Sequence, residues 1–123
     1  MSMKPRLRPG PDHPITIEPA GGRVRVTWEG HTAADTEGAL VLREASYPPV
    51  YYVPLLDVNH AVLQPSSHQT YCPYKGDASY YSLSDGEHVA QDAVWFYAEP
   101  YDDVAEIAGF VAFYPQHVEI SPS

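Results

Sequence analysis

Cys72 and Lys75 are the residues of this chain best suited, by type and spacing, to do chemistry. A thiolate is the reactive form of cysteine, and a nearby ammonium lowers the pKa of a thiol. Only Pro73 and Tyr74 separate the two, so a turn there would bring them together, with Gly76 supplying the backbone freedom. His68 lies upstream and would act as base in a Cys–His arrangement. The competing reading is that Cys72 is a small buried hydrophobe, the usual state of an unpaired cysteine. His60, His68 and Cys72 match no standard ligand spacing, so no metal and no cofactor are expected.

Two fixed cations follow Arg25 in the sequence, Arg43 and Lys75, and each is a candidate for holding an anionic group. Arginine clamps a carboxylate or phosphate with paired hydrogen bonds, whereas lysine acts as a point charge. The competing reading pairs each of them with one of the 16 acids. Glu44 adjoins Arg43 but would point to the opposite face of a strand, so it is not the obvious partner. Aromatic residues are the other signal. The chain has ten tyrosines, with adjacent aromatic pairs at Tyr51-Tyr52, Tyr80-Tyr81 and Phe113-Tyr114. On a strand each pair gives one ring to the core and one outward. Outward rings such as Tyr51 and Tyr80, together with Trp95 or Trp28, would wall a cleft for a flat or apolar ligand. Ordinary sheet packing explains the same residues, since strands favour tyrosine.

The elements that must position these residues are mostly strands. Arg23-Val24-Arg25-Val26-Thr27-Trp28 alternates polar and apolar residues, the period of a half-buried strand, and Glu29-Gly30-His31 turns it back. Further strands are expected at residues 40–43, 50–53, 60–63, 69–72, 79–83, 87–90, 93–97 and 110–114. Asp85-Gly86 marks a hairpin. One short helix is expected near residues 102–108, where Asp103 and Glu106 form a capping-box pair and Val104, Ile107 and Ala108 share a face. Residues 1–22 read as an extended arm rich in proline and glycine, residues 23–118 as one β-rich domain, and residues 119–123 as a tail. Short echoes between residues 23–57 and 78–118 admit a duplication with one sheet per half, or chance likeness among β-prone segments. Asp35 and Asp92 read as turn-closing residues in that comparison.

Composition narrows the function classes. The 123 residues suit a single domain, and 44% hydrophobic content with 19% charged residues suits a packed core rather than disorder. No apolar run is long enough for a membrane span, and the first 14 residues lack the apolar centre of a secretory signal. A lone cysteine fits a reducing compartment, so a cytoplasmic, acidic protein is expected. The net charge of −9 is lopsided: all seven Lys and Arg fall in residues 1–75, while residues 76–123 hold nine acids. Such a surface repels phosphate backbones, so no nucleic-acid partner is expected.

Several stretches in order resemble the domain of unknown function 427 family. They include Ala39-Leu40-Val41-Leu42-Arg43-Glu44, Tyr47-Pro48-Pro49-Val50-Tyr51-Tyr52-Val53-Pro54 and Thr70-Tyr71-Cys72-Pro73-Tyr74-Lys75-Gly76. Ile107-Ala108-Gly109-Phe110-Val111-Ala112-Phe113-Tyr114 closes the series. The resemblance implies a β-tent-like fold, two antiparallel sheets pinned at one edge and splayed at the other. Relatives on that fold commonly carry a zinc held by four cysteines, which a chain with one cysteine does not provide. The family has also been labelled nucleotidyltransferase-like. Metal-dependent nucleotidyl transfer calls for spaced carboxylates and a glycine-rich phosphate cradle, and the one close acidic pair here, Asp102-Asp103, sits where a helix cap accounts for it.

The resulting expectation is an all-β, small-molecule-binding domain whose ligand is anionic or aromatic. Cys72 and Lys75 are the catalytic candidates in its enzymatic form. Arg43, Tyr51, His68, Tyr80 and Trp95 are the ligand-binding candidates. The alternative is a non-catalytic interaction module that uses an exposed aromatic face, as in a homodimer.

Overall fold

The structure, a computed structural model, describes residues 4–122. Residues 1–3 of the expected arm and Ser123 of the expected tail lie outside the described residues. Ten strands run in the order β1 (Ile15–Pro19), β2 (Val24–Trp28), β3 (His31–Thr36), β4 (Leu40–Glu44), β5 (Val50–Pro54), β6 (Leu63–Cys72), β7 (Gly76–Ser84), β8 (Val89–Phe96), β9 (Phe110–Phe113) and β10 (Glu119–Pro122). They form a seven-stranded antiparallel sheet, β1-β4-β5-β9-β8-β7-β6, and a three-stranded antiparallel sheet, β10-β2-β3.

Alternation in the sequence decides which face each side chain takes. In β2, Val24, Val26 and Trp28 are buried while Arg25 is exposed. Glu29 and Gly30 both have positive φ, 48° and 78°, the geometry of the tight turn that matches strand twist in a two-residue hairpin. Val26, Trp28, Ala33 and Ala34 of the small sheet pack on Val53, Leu83, Val94, Val111 and Phe113 of the large one, forming one core. The opposite face of the large sheet carries Leu42, Tyr52, Ala78, Tyr80 and Ala112, which pack with Tyr97, Val104 and Ile107 into a second core. Strand β9 shows the division within four residues: Val111 and Phe113 join the first core, Phe110 and Ala112 the second.

The large sheet consists of two leaves joined by a narrow seam. Between β5 and β9 the ladder holds only Val53↔Val111 and Pro54↔Phe110. Upstream of Val53, β5 stays with β4 while β8 and β9 turn away, so the leaf β1-β4-β5 separates from the leaf β6–β9. This seam crosses the two halves of the chain, and the expected division of one sheet per half does not hold. Asp35 and Asp92 close no turns. Asp35 lies within β3, bonded to Arg23, and Asp92 (φ 54°) lies where the β7–β8 register shifts, its N–H donating to Ser82 Oγ at 2.9 Å.

Three further expectations are corrected. The arm is structured from Ile15: β1 pairs with β4 from Ile15↔Glu44 to Pro19↔Leu40, because Ile15 and Ile17 supply apolar side chains to the second core. The tail pairs with β2 from Glu119↔Thr27 to Pro122↔Val24. Residues 60–62 form a 3₁₀ turn, since Asn59 accepts the Ala61 N–H at 3.0 Å and caps it. The short helix expected near 102–108 is present, as a pair of 3₁₀ turns over Asp102–Ile107 broken at Val104. No side chain caps it: Tyr101 holds the cap position, and Asp103, inside the first turn, faces Arg6 and Arg8.

Residues 4–9, also part of the expected arm, lie as a strap over the β6–β7 turn and the 3₁₀ segment. Lys4 pairs with Asp77 at 2.6 Å, and the Arg6 guanidinium lies 4.1 Å from the Tyr101 ring centre. Leu7 N–H donates to the Pro73 carbonyl at 3.0 Å. Tyr71 gives its hydroxyl proton to the Pro5 carbonyl at 2.7 Å, so the Tyr101 hydroxyl, 2.6 Å away, donates to Tyr71. Among the described residues no helix is long and apolar enough to cross a membrane.

Candidate functional site

Where the two leaves part, a cleft of about 770 Å³ opens. Its floor is built from the core face of the large sheet. Leu42 and Glu44 project from β4, Tyr52 from β5 and Tyr80 from β7. Trp95 and Tyr97 follow from β8 and its extension. Tyr47, Pro48 and Pro49 of the β4–β5 loop form one rim, and Tyr114 and Pro115 beyond β9 form the other. Trp95 is the centrepiece of the wall. Its ring meets Tyr52 edge-on with centres 6.4 Å apart and lies 4.4 Å from Tyr114. Its Nε1 donates to Tyr52 Oη at 3.4 Å.

The turn that carries Lys75 forms as its sequence suggests. Lys75 N–H donates to the Cys72 carbonyl at 3.2 Å, and Gly76 takes a φ of 113° that opens β7. A Cβ at Gly76 would stand in ordinary contact with the Glu99 carbonyl, at 3.5 Å, so it is the positive φ rather than lack of space that calls for glycine. The Lys75 side chain is folded in, the residue being 7% exposed. Its ammonium lies 2.5 Å from Glu44 Oε1 and 3.7 Å from Cys72 Sγ. Glu44 Oε2 meets His13 Nε2 at 2.7 Å, and the His13 ring stacks on Tyr74 at 4.0 Å. Partial burial pushes the Glu44 carboxyl up, but hydrogen bonds from Lys75 and His13 outweigh it and hold it below its ordinary value.

Several tyrosines share the cleft lining with this ion pair. Tyr80 shares a 2.8 Å hydrogen bond with Thr70. Burial, aided by a hydrogen bond with Tyr80, pushes Tyr114 up to about 12. Burial raises Tyr52 and Tyr97 further still. Tyr97 is 7% exposed as a residue, and since no buried side-chain polar atom among the described residues lacks a partner, its unbonded hydroxyl is open to the cleft that it lines.

The candidates singled out in the sequence separate into groups. Lys75, Tyr51, Tyr80 and Trp95 line the cleft. Cys72 touches Lys75 but stands behind it, half-buried against the second core and off the cleft lining. His68 is exposed, its ring 4.6 Å from the far side of Tyr80, and it does not reach the cleft. Arg43 is also exposed and off the lining, because it alternates with Leu42 and Glu44. Glu44, Tyr52, Tyr97 and Tyr114 were not among the expected site residues. The alternation Leu40, Leu42, Glu44 was the available signal for Glu44: a strand whose apolar residues face the core carries the next even position inward with them. Among the described residues no three or more His, Cys, Asp and Glu side chains are grouped to hold a metal ion.

Together, the seam, the splayed leaves and the aromatic floor define a two-sheet antiparallel β protein with a cleft at the parting of its large sheet. The family model for the Domain of unknown function (DUF427) matches residues 16–122, and the chain belongs to that family. No curated protein matches the chain.

Proposed function

We propose that this protein binds a small, flat, largely apolar molecule in the cleft between the leaves. The observation that carries this reading is the cleft itself, about 770 Å³ walled by aromatic rings and proline, with the Lys75 ammonium and several tyrosines on its lining. Aromatic walls with a few convergent polar groups, in a volume of several hundred Å³, are what small-molecule sites offer. Catalysis is not needed to explain the arrangement, since Cys72 lies off the lining and the Lys75 charge is engaged by Glu44. A single thiol suits a cytoplasmic setting for such a binder.

The test is a screen of flat aromatic fragments by thermal shift, followed by fluorescence on a Trp28→Phe variant in which Trp95 is the remaining tryptophan. Binding in the cleft raises the melting temperature, by mass action on the native state, and perturbs Trp95 emission. Fragments that stabilise the protein without any change at Trp95 would place the ligand elsewhere. Failure of every fragment, joined with concentration-dependent self-association that protects Tyr47 and Trp95, would assign the cleft to a second copy of the chain.

A further inference from the structure

The polar groups on the cleft lining are unequally spent. Lys75 has three N–H donors; one goes to Glu44 Oε1 and one to Cys72 Sγ, which leaves one over. Tyr52 Oη receives the Trp95 N–H and keeps its own proton. Tyr97 Oη has both its proton and its lone pairs free among the described residues. The Glu44 oxygens, by contrast, are each already engaged, one by Lys75 and one by His13. The cleft therefore offers spare donors and calls for an acceptor.

Charge decides which acceptor. Among the described residues, Glu44 and Lys75 are the only charged side chains on the lining, and they cancel. A carboxylate placed on the spare Lys75 N–H would lose its hydration in an apolar cleft and face Glu44, in a protein of net charge −9. A carbonyl or ring nitrogen meets the same donors without either penalty. We propose that the cleft takes an uncharged planar ligand bearing a hydrogen-bond acceptor, and that Glu44 is the residue that rejects anionic counterparts. This rests on the reading of the cleft as a ligand site, and it replaces the anionic metabolite expected from Arg43 and Lys75 with a neutral one.

Three probes of matched shape test it: indole-3-acetamide, indole-3-acetate and tryptamine, neutral, anionic and cationic, titrated at one ionic strength by chemical shifts of the Trp95 indole N–H. The amide is expected to bind about tenfold or more tightly than the acetate, and more tightly than the amine. Tyr97→Phe should weaken the amide about fivefold by removing one donor. Glu44→Gln leaves Lys75 uncompensated, and the acetate should then gain about tenfold while the amide changes little. Should Glu44→Gln fold poorly, Glu44→Asp keeps the charge but withdraws it by one methylene, and the acetate should then gain on the amide; an unchanged ratio would mean that Glu44 does not set the preference. Acetate or amine binding as tightly as the amide, with the Trp95 response intact, overturns the ligand class and leaves the cleft a binding site. Absence of any Trp95 response at millimolar concentrations of all three overturns both.

Discussion

Lys75 places an ammonium in a largely buried position where Glu44 and Cys72 are its nearest polar neighbours. Removing one partner of a buried pair leaves the other charge uncompensated, so Lys75→Met should cost about 3 kcal/mol of stability in urea unfolding. Arg43→Ala should cost less than about 0.5 kcal/mol, since that side chain is exposed and off the cleft lining. A Lys75→Met variant as stable as the wild type would mean that the ion pair contributes nothing. The phenols make a second prediction. Tyr114 is pushed up to about 12, so its folded form favours the proton more than the unfolded chain does. That contribution is fully present below pH 10 and is lost as pH rises toward 12, with Tyr52 and Tyr97 acting in the same direction. Melting temperature should fall across this window, with part of the phenolate absorbance appearing only on unfolding. Reversible ionisation of all ten tyrosines near pH 10 in the native protein would contradict it. At this scale Lys75, Tyr51, Tyr80 and Trp95 were legible in the sequence because type alone marks them. The identity of Lys75's partner was not, because it comes from a strand 31 residues away.

The strap over residues 4–9 is a polar element, held by Lys4–Asp77, by Arg6 and Arg8 on Asp103, and by main-chain bonds at Pro5 and Leu7. Its ion pairs are exposed and screened by salt, so it should be the first element to loosen as ionic strength rises. Trypsin reads this directly. The Lys4 and Arg8 bonds precede proline and resist cleavage, which leaves Arg6-Leu7 as the informative bond. Cleavage there should be slow in low salt and faster in about 1 M salt or with Asp103→Ala. Equal rates in all three conditions would mean that the charges do not hold the strap. Element identities were read best where periodicity was clean, as in β2, and worst where proline intervened. Pro14 and Pro19 bracket Ile15-Thr16-Ile17 and disguise an edge strand, although an edge is where a strand tolerates proline. Prolines also stand in β6 and β10, edge strands too, where they blunt pairing with other chains.

Across the whole molecule the two cores share one sheet, and Val53 and Val111 sit at its narrowest point. Amide exchange should be slowest where first-core residues from both sheets meet, at Val26, Leu83, Val94 and Val111, and much faster at Leu7 in the strap. Fast exchange at Val111 would show that the leaves separate without global unfolding. That strands would dominate was readable from the alternation, whereas the two antiparallel sheets were implied by the resemblance to the family. The seam that joins the leaves was not, because the Val53↔Val111 pairing spans most of the domain and leaves no local mark. The small sheet has the same character: β2 waits for β10, and the strap waits for Asp77, Tyr101 and Asp103. During synthesis the amino-terminal segments thus emerge long before the surfaces that receive them. Pairings of such sequence separation are slow to form. A nascent chain paused short of Glu119 would hold Val24, Val26 and Trp28 in a two-stranded ribbon with one edge unpaired, a state in which a chaperone has something to recognise.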